Sequence, residues 1–312
     1  MKNIDSSTRK RRIFLGSALS LLIVATTAIQ IQNSELANAL IPVAQTPIDP
    51  PIDIPAEIDP PAVDTPPTDP ITQKLLADGC NLNASPTATQ HDLGTCKVLV
   101  IGDSLGQNLG YGLLGQLRNK PGLTVTMKAK ASTGLSNAWF YNWHVNQAAF
   151  IKTYKPNLVI VLMGANDRQN FVVNGKIQTF GNLDWQKTYQ SNVTRLASAA
   201  TASGAYVLWV GLPIMKPYNY AKGETLIDQL IAAAVPKTTG AQYISLRELT
   251  ADGSGKYQQS AIINGKYQVF RGGDGIHFSS VGQEVIATYT INKINRLFHV
   301  KLTPNISWYI KK

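Results

Sequence analysis

The chain of 312 residues carries 29 lysines and arginines against 19 aspartates and glutamates, a formal net charge of +10. Residues 71–312 hold 24 of the basic and 11 of the acidic side chains, a net charge of +13 that favours anionic partners such as envelope polymers or lipid headgroups. Nucleic acid does not fit as a partner, because no cluster of basic residues is interleaved with aromatic ones. The two cysteines and four histidines are scattered and indicate no metal site.

The first 41 residues have the features of an export signal. Residues 9–12 are basic, residues 13–33 form an uncharged and largely apolar run, and Ala37-Asn38-Ala39 resembles a small-residue cleavage site. Residues 10–15, KRRIFL, also resemble a twin-arginine signal. The alternative is an uncleaved anchor in the inner membrane, since the apolar run is long enough to span a bilayer. In either case we expect the rest of the chain to be periplasmic or extracellular.

Residues 42–70 form a proline-rich, acidic segment. They contain ten of the 17 prolines, six acidic residues and no basic residue, a composition that favours extended conformations and builds no core. We interpret the segment as a linker, with a disordered tail without a function as the alternative. Residues 71–312 are then enough for one catalytic domain. In an oxidising compartment the only two cysteines, Cys80 and Cys96, are expected to form a disulfide bond.

Strand-like and helical patterns alternate along the domain. Short apolar runs predict strands at 97–101, 124–129, 158–163, 206–211 and 242–246. Helical spacing is found at 107–119, 143–154, 184–203, 225–235 and 280–298. Strands that alternate with helices predict an α/β fold, in which a parallel five-stranded sheet is covered by helices on both faces.

Two similar segments, residues 171–180 and 261–270, are predicted to be β-hairpins. Each turns at an Asn-Gly pair, Asn174-Gly175 in the first and Asn264-Gly265 in the second. The first follows one candidate site motif and the second precedes another, so we expect both hairpins at the rim of the site. The alternative is that they are surface features remote from it.

The motif Gly102-Asp103-Ser104-Leu105 stands at the carboxyl end of the first predicted strand. Open α/β sheets bind ligands at this edge, and the N-terminus of a following helix favours a developing negative charge. Ser104 is therefore a candidate nucleophile, with a helix N-cap as the alternative. We interpret Asp103 as the residue that holds the turn.

A candidate base for Ser104 occurs near the C-terminus, in Asp274-Gly275-Ile276-His277. Acyl transfer through a serine needs a base within hydrogen-bond reach and a group that orients this base. Gly275 permits a tight bend, so that the Asp274 carboxylate can fold back onto Nδ1 of His277. Nε2 is then left to accept the serine proton.

Two further motifs contain candidate donors to an oxyanion. In Gly164-Ala165-Asn166-Asp167, after the third strand, the Asn166 side chain can donate from its amide group. After the second strand, in residues 131–136, Gly134 can donate from its backbone N–H. Both motifs are also typical of ordinary turns. The register around Gly134 stays open, because serines stand on both sides of it.

Together and in this order, the four motifs resemble those of the SGNH (GDSL-type) hydrolase family, and specifically of its exported bacterial members. The resemblance covers residues 97–298 and implies a flavodoxin-like, three-layer α/β/α sandwich that hydrolyses esters. It implies that Ser104 is the nucleophile, that His277 is the general base and then the acid, and that Asp274 orients it. The implied oxyanion donors are the Ser104 N–H, the Gly134 N–H and the Asn166 side chain. Such a mechanism requires no cofactor and no metal.

Three further side chains are candidates for substrate binding. Trp139 and Trp143 lie in an aromatic stretch that can form a wall against a sugar or an acyl chain, with buried packing as the alternative. Arg271 can face an anionic group, with an ordinary exposed arginine as the alternative. We therefore expect an exported serine esterase that acts on O-acyl, foremost O-acetyl, groups of envelope or extracellular carbohydrate. The alternatives are an O-acyltransferase with the same triad, and a non-catalytic envelope module that binds glycan or a partner protein.

Overall fold

The structure, a computed structural model, describes residues 96–216, 218–298 and 302–311, without the side chains of residues 218–221. The expected export signal (1–41), the linker (42–70) and Cys80 lie outside the described residues, so these features and the disulfide bond stay predictions. Cys96 is buried at the start of the first strand. Among the described helices, none combines the length and the apolar character that a membrane span requires.

The described residues contain strands of two kinds, those of a central sheet and those of small peripheral sheets. In chain order they are β1 (Cys96–Gly102), β2 (Leu123–Ala129), β3 (Leu158–Leu162), β4 (Phe171–Val173), β5 (Lys176–Gln178), β6 (Tyr206–Val210), β7 (Ala241–Ile244), β8 (Ser260–Ile263), β9 (Lys266–Val269) and β10 (Ile310–Lys311). The helices are α1 (Ser104–Gln116), α2 (Trp143–Tyr154), α3 (Leu183–Ala202), α4 (Tyr218–Ala234), α5 (Arg247–Thr250) and α6 (Ser280–Leu297).

The central sheet has five strands in the order β2-β1-β3-β6-β7, and every neighbouring pair is parallel. All residues of β3 and β6 are buried, as expected for apolar strands that are covered on both faces. The predicted five-stranded parallel sheet is confirmed, and each strand begins and ends within two residues of the predicted bounds.

Helices cover the sheet in two layers. On one face α1 packs against α6, and on the other α3 packs against α2 and α4. The chain runs from β1 outward to β2 and then back across β1 to β3, so right-handed crossovers place α1 and α2 on opposite faces. The three-layer α/β/α sandwich is therefore confirmed.

The start of α1 differs from the prediction. The apolar spacing indicates a helix from residue 107, whereas α1 begins at Ser104 because Asp103 caps it. Asp103 Oδ1 accepts a hydrogen bond from the Leu105 N–H at 2.9 Å. A cap of this kind satisfies a donor of the first turn, which has no acceptor inside the helix. The nucleophile candidate thus lies within the first turn of α1.

Both hairpins are confirmed. β4 pairs with β5 and β8 pairs with β9, antiparallel in each case. The turn residues Asn174, Gly175, Asn264 and Gly265 have φ values of 51°, 74°, 50° and 77°. Two consecutive left-handed residues match the twist of a two-residue hairpin, which is why Asn-Gly is favoured there. β10 adds a third strand to β8, a two-residue pairing too short to be predicted from sequence.

The strand order reverses at β1, whose neighbours β2 and β3 lie on either side of it. At such a point the connections leave in opposite directions and open a crevice at the carboxyl ends of the strands. The loops that follow β1, β2 and β3 carry three of the four motifs. The sheet topology alone therefore gathers the candidate residues of these three motifs at one edge.

Candidate active site

Ser104 and His277 are in hydrogen-bond contact. Nε2 of His277 lies 2.7 Å from Oγ of Ser104, although 173 positions separate the two residues in the chain. On the other side of the ring, Nδ1 lies 2.5 Å from Oδ2 of Asp274. The structure thus brings the three residues of the expected triad into one continuous line of contacts, on a part of the surface that solvent can reach.

The Asp274 carboxylate is held in its ionised form. Its oxygen Oδ1 accepts hydrogen bonds from the Ile276 N–H at 2.9 Å and the His277 N–H at 3.0 Å. Partial burial acts to raise the pKa of Asp274, but hydrogen bonds from the His277 ring and these two N–H groups outweigh it and lower the pKa to about 2. An anion at this position fixes the tautomer of His277 and stabilises the imidazolium formed during proton transfer.

Residues 271–278, which we call the histidine loop, place the imidazole. The backbone pairs at its two ends, where Arg271 and Phe278 form an isolated antiparallel bridge. Gly275 lies in the left-handed region with a φ of 71°, so the tight bend expected from the sequence is present. The Phe278 N–H donates to Oδ1 of Asn108, on α1, at 2.9 Å. This bond ties the loop to the helix that begins with Ser104.

Arg271 does not face a substrate, and this prediction is wrong. The residue is only 1% exposed, and its guanidinium lies inside the histidine loop. It donates to the carbonyl oxygens of Ile276 at 2.8 Å, of Gly275 at 3.4 Å and of His277 at 3.4 Å, and to that of Ile214, outside the loop, at 2.7 Å. The turn of the histidine loop points several carbonyls inward, and the planar fork of an arginine satisfies them together.

One of the expected oxyanion donors belongs to the nucleophile itself, and another contacts the residue before it. The Ser104 N–H belongs to the first turn of α1, where it has no acceptor inside the helix. The Asn166 side chain donates from Nδ2 to the Thr133 carbonyl at 3.0 Å and lies 3.5 Å from Oδ2 of Asp103, the residue before the nucleophile. Asn166 therefore bridges the loops that follow β1, β2 and β3.

Gly134 lies in residues 130–137, which we call the β2 loop, packed against a buried carboxylate. A Cβ atom on Gly134 would stand 2.1 Å from Oδ1 of Asp167, so only glycine fits this close approach. The same oxygen accepts from the Ser136 N–H at 2.7 Å and the Ser136 hydroxyl at 2.9 Å. Tyr189 donates its hydroxyl to Oδ2 at 2.9 Å. Asp167 thereby fixes the loop that carries Gly134.

The two buried carboxylates of Asp103 and Asp167 hold the loops of the site by hydrogen bonds. Besides capping α1, Asp103 accepts from the Gly164 and Ala165 N–H groups, each at 3.0 Å. Burial raises the pKa of Asp103 to about 6, against the opposing effect of these hydrogen bonds. Burial raises the pKa of Asp167 as well. The interpretation of Asp103 as the residue that holds the turn is confirmed, whereas nothing in the sequence indicates the role of Asp167.

The aromatic residues divide into an exposed and a buried set. Trp139 is 83% exposed and available to a ligand. Trp143 is 1% exposed, and its Nε1 donates to Oγ1 of Thr133 at 3.0 Å. The prediction that Trp143 contacts substrate is therefore wrong, because as the first residue of α2 it packs behind the β2 loop. The sequence around residues 139 and 143 does not show which of the two tryptophans is exposed and which is buried.

The two hairpins adjoin the motif loops along the chain. Ser279 joins the end of the histidine loop to the second hairpin, with its hydroxyl donating to the Val269 carbonyl at 2.9 Å. The first hairpin begins at Phe171, shortly after Asp167. Their influence on substrate access stays a prediction. Within the described ranges, no three His, Cys, Asp or Glu side chains are grouped as a metal site would require.

Comparison with solved structures finds proteins of similar fold at low sequence identity. Solved structures of similar fold include TesA, 19% identical over 64% of this chain and 99% of that chain, with a TM-score of 0.45. The psychrotrophic esterase EstA from Pseudoalteromonas sp. is 16% identical over 65% and 98%, with a TM-score of 0.44. A catalytic mutant of the acetylxylan esterase Axe2 from Geobacillus stearothermophilus is 14% identical over 67% and 96%, with a TM-score of 0.42. Likenesses of this size do not carry a function across.

No curated protein matches the sequence. The sheet order and the meeting of the four motif loops agree with the resemblance to SGNH hydrolases. One family model matches residues 97–293, well over half of the chain, and its description is "Protein of unknown function (DUF459)". This protein is therefore a member of the DUF459 family.

Proposed function

We propose that the protein is an exported serine esterase that hydrolyses O-acyl, foremost O-acetyl, esters on carbohydrate of the envelope or the extracellular space. The observation that carries the proposal is the line of contacts from Asp274 through His277 to Ser104, at 2.5 and 2.7 Å. A nucleophile, a base and an orienting anion at these distances form the apparatus of acyl transfer. A module that only binds glycan would not need this arrangement.

In the first half-reaction Oγ of Ser104 attacks the carbonyl carbon of the ester, and its proton passes to Nε2 of His277. The carbonyl oxygen becomes an oxyanion, for which the Ser104 N–H, the Gly134 N–H and the Asn166 amide are the proposed donors. Asp274, whose pKa lies at about 2, stays ionised throughout and balances the charge of the imidazolium. The intermediate then collapses and the ester C–O bond breaks. Nε2 gives its proton to the leaving alcohol oxygen, and an acyl-Ser104 remains.

In the second half-reaction water takes the place of the alcohol. His277 accepts a proton from the water as its oxygen attacks the acyl carbon, and the bond to Oγ breaks. Ser104 regains the proton from Nε2, and the carboxylic acid leaves. The side chains of Asp274 and His277 are 46% and 37% exposed, which supports access of water to the acyl-enzyme.

The carbohydrate part of the proposal is supported by the exposed Trp139, whose indole can pack against a sugar ring. The N-terminal 41 residues, with a basic cluster followed by an apolar run, support export to the periplasm or beyond. The net positive charge supports attraction to anionic envelope polymers.

The test compares the full chain with Ser104→Ala on a chromogenic acetyl ester and on an acetylated oligosaccharide. We expect the variant to lose several orders of magnitude in kcat, because the nucleophile of a triad cannot be replaced by its neighbours. Equal rates for the two proteins would reject the proposal and favour a non-catalytic module. Product analysis with an added alcohol acceptor identifies an acyltransferase, which would form a new ester in place of the free acid.

A further inference from the structure

A small aromatic surface lies next to the β2 loop. Trp139 is 83% and Phe140 48% exposed, and their ring centroids are 6.0 Å apart. The ammonium of Lys130 lies 5.5 Å from the ring centroid of Phe140 and 4.9 Å from that of Tyr141. We call these four residues the lysine–aromatic platform. Adjacent exposed rings with a charged side chain at their rim are typical of a binding surface.

The platform is attached directly to the backbone of the nucleophile loop. Lys130 follows the last residue of β2, and its N–H donates to the Gly102 carbonyl at 2.8 Å. The N–H groups of Phe140 and Tyr141 both donate to the Asn137 carbonyl, at 2.9 and 3.2 Å. The backbone of Lys130 is therefore joined to the loop that carries the nucleophile, on the side of the edge strand β2.

The charged side chains of the chain segment that contains the platform are of one sign. Residues 104–166 contain six lysines and arginines and no aspartate or glutamate. The two carboxylates that flank this stretch, Asp103 and Asp167, are both 0% exposed and are occupied by hydrogen bonds. Lys130 is exposed and makes no ion pair with a described residue. An ammonium group that lies over aromatic rings and makes no ion pair with a described carboxylate attracts an anion.

We propose that the lysine–aromatic platform binds an acidic sugar residue of the substrate, with its carboxylate or phosphate on Lys130 and the apolar face of its ring on Trp139. This inference rests on the proposed esterase function and specifies its substrate as an acylated acidic carbohydrate. Two exposed rings match the size of one sugar. A membrane surface, which shares the anionic chemistry, would call for a broader apolar face.

The decisive substrates are an acetylated oligogalacturonide and the same compound with its carboxylates methyl-esterified. Both carry the same acetyl esters on the same sugar, and initial rates of acetate release are compared, so that cleavage of the added methyl esters is not counted. For the full chain at low salt we expect kcat/KM to be about fivefold higher for the acidic form, the size of one partly exposed ion pair. The ratio should fall towards one as the ionic strength rises to about 1 M, because salt screens exposed charges.

Three variants locate the effect. Lys130→Gln should bring the ratio of the two substrates to one, and Lys130→Arg should preserve the preference. Lys152→Gln is the matched control, since it removes the same charge from the acid-free stretch at the last turn of α2. Lys152 lies nine residues after Trp143, the first residue of α2, which is about 13 Å along the helix axis, and the ratio of this variant should equal that of the unmodified protein.

The outcomes separate this inference from the esterase proposal. Equal kcat/KM for the two oligosaccharides, or a preference that survives Lys130→Gln, overturns the platform while leaving the esterase intact. If the full chain hydrolyses no ester, a tryptophan-fluorescence titration with unacetylated oligogalacturonide decides. Binding that Lys130→Gln abolishes supports the platform, and its absence refutes it. Sedimentation with phosphatidylglycerol vesicles, together with no discrimination between the sugars, would assign the platform to a lipid surface and overturn the proposal.

Discussion

Replacing Arg271 by methionine removes the guanidinium from the interior of the histidine loop while keeping the volume of an unbranched side chain. Of the four carbonyls that it serves, those of Gly275 and His277 keep a second donor, the N–H groups of Lys216 at 3.0 Å and Gly272 at 2.7 Å. The carbonyls of Ile214 and Ile276 lose the only donor that the described residues offer them. The variant therefore releases one end of the loop from the segment after β6.

Each buried acceptor left without a donor costs about 1–3 kcal/mol, and the removal of a buried cation returns part of this. Burial already lowers the pKa of Arg271 to about 10, which shows that its charge is poorly solvated. We expect Arg271→Met to lower the free energy of unfolding by about 2–4 kcal/mol. A shift of the imidazole by about 1 Å is enough to lower kcat by about a hundredfold, with little change in KM for a small ester.

The assay measures kcat and KM on a chromogenic acetyl ester, with urea unfolding on the same samples. Arg247→Met is the control, because it leaves the buried Glu224 without its ion-pair partner but touches no residue of the histidine loop in the described hydrogen bonds. It should cost about 1–3 kcal/mol of stability, because Glu224, whose pKa burial raises to about 8, protonates when its partner is removed and only loses a buried hydrogen bond. It should leave kcat within about twofold. Arg271→Lys, which keeps the charge but not the planar fork, should fall between the wild type and Arg271→Met in kcat.

Two results would refute this reasoning. One is a folded Arg271→Met protein with the kcat of the wild type. The other is the same loss of kcat in Arg247→Met, which would attribute the effect to general destabilisation. The far-downfield NMR signal of the Nδ1 proton shared by His277 and Asp274 provides a second readout, and it should broaden or vanish in Arg271→Met while persisting in Arg247→Met.

Three further predictions concern the supporting residues. Asn166→Ala should lower kcat on the chromogenic ester by about 10²–10³-fold with little change in KM, as expected for the loss of an oxyanion donor; an unchanged kcat would remove Asn166 from the mechanism. Gly134→Ala should abolish activity, because its Cβ would collide with the buried carboxylate of Asp167. Gly253→Ala, whose Cβ would have no atom within 4 Å, should leave activity unchanged in the same assay. Burial raises the pKa of Asp103 from 3.8 to about 6 and that of Glu224 from 4.5 to about 8. The folded state therefore binds these protons more tightly than the unfolded state, and the stability present at low pH is lost as the pH rises through about 6 and 8. Urea unfolding at pH 5 and pH 8 should show the lower free energy of unfolding at pH 8, by about 1–2 kcal/mol for Asp103 alone, because only the part of its titration above pH 5 falls in this range; the opposite order would contradict the buried carboxylates.

The strands and their order of appearance could be predicted because an apolar run such as residues 158–162 is buried on both faces whatever its neighbours are. The motif residues could be predicted because Ser104, Asn166 and Gly134 each follow a strand, and parallel strands bring their carboxyl ends to one edge. The directions of the Arg271 and Trp143 side chains could not be predicted, because they depend on tertiary contacts. Their local sequence is the same whether they point outward or inward, and only the carbonyls of the histidine loop and the β2 loop behind Thr133 decide the direction.

The sequence by itself determined the alternation of strands and helices, the two Asn-Gly turns and the residue types that acyl transfer requires, because these depend on local backbone preferences and on side-chain chemistry. Only the tertiary structure decided that Ser104 and His277, 173 positions apart in the chain, lie within 2.7 Å of each other. The physical reason is that this contact depends on which helix layer each crossover takes and on buried groups, such as Asp167 and Arg271, that hold distant loops by their backbones.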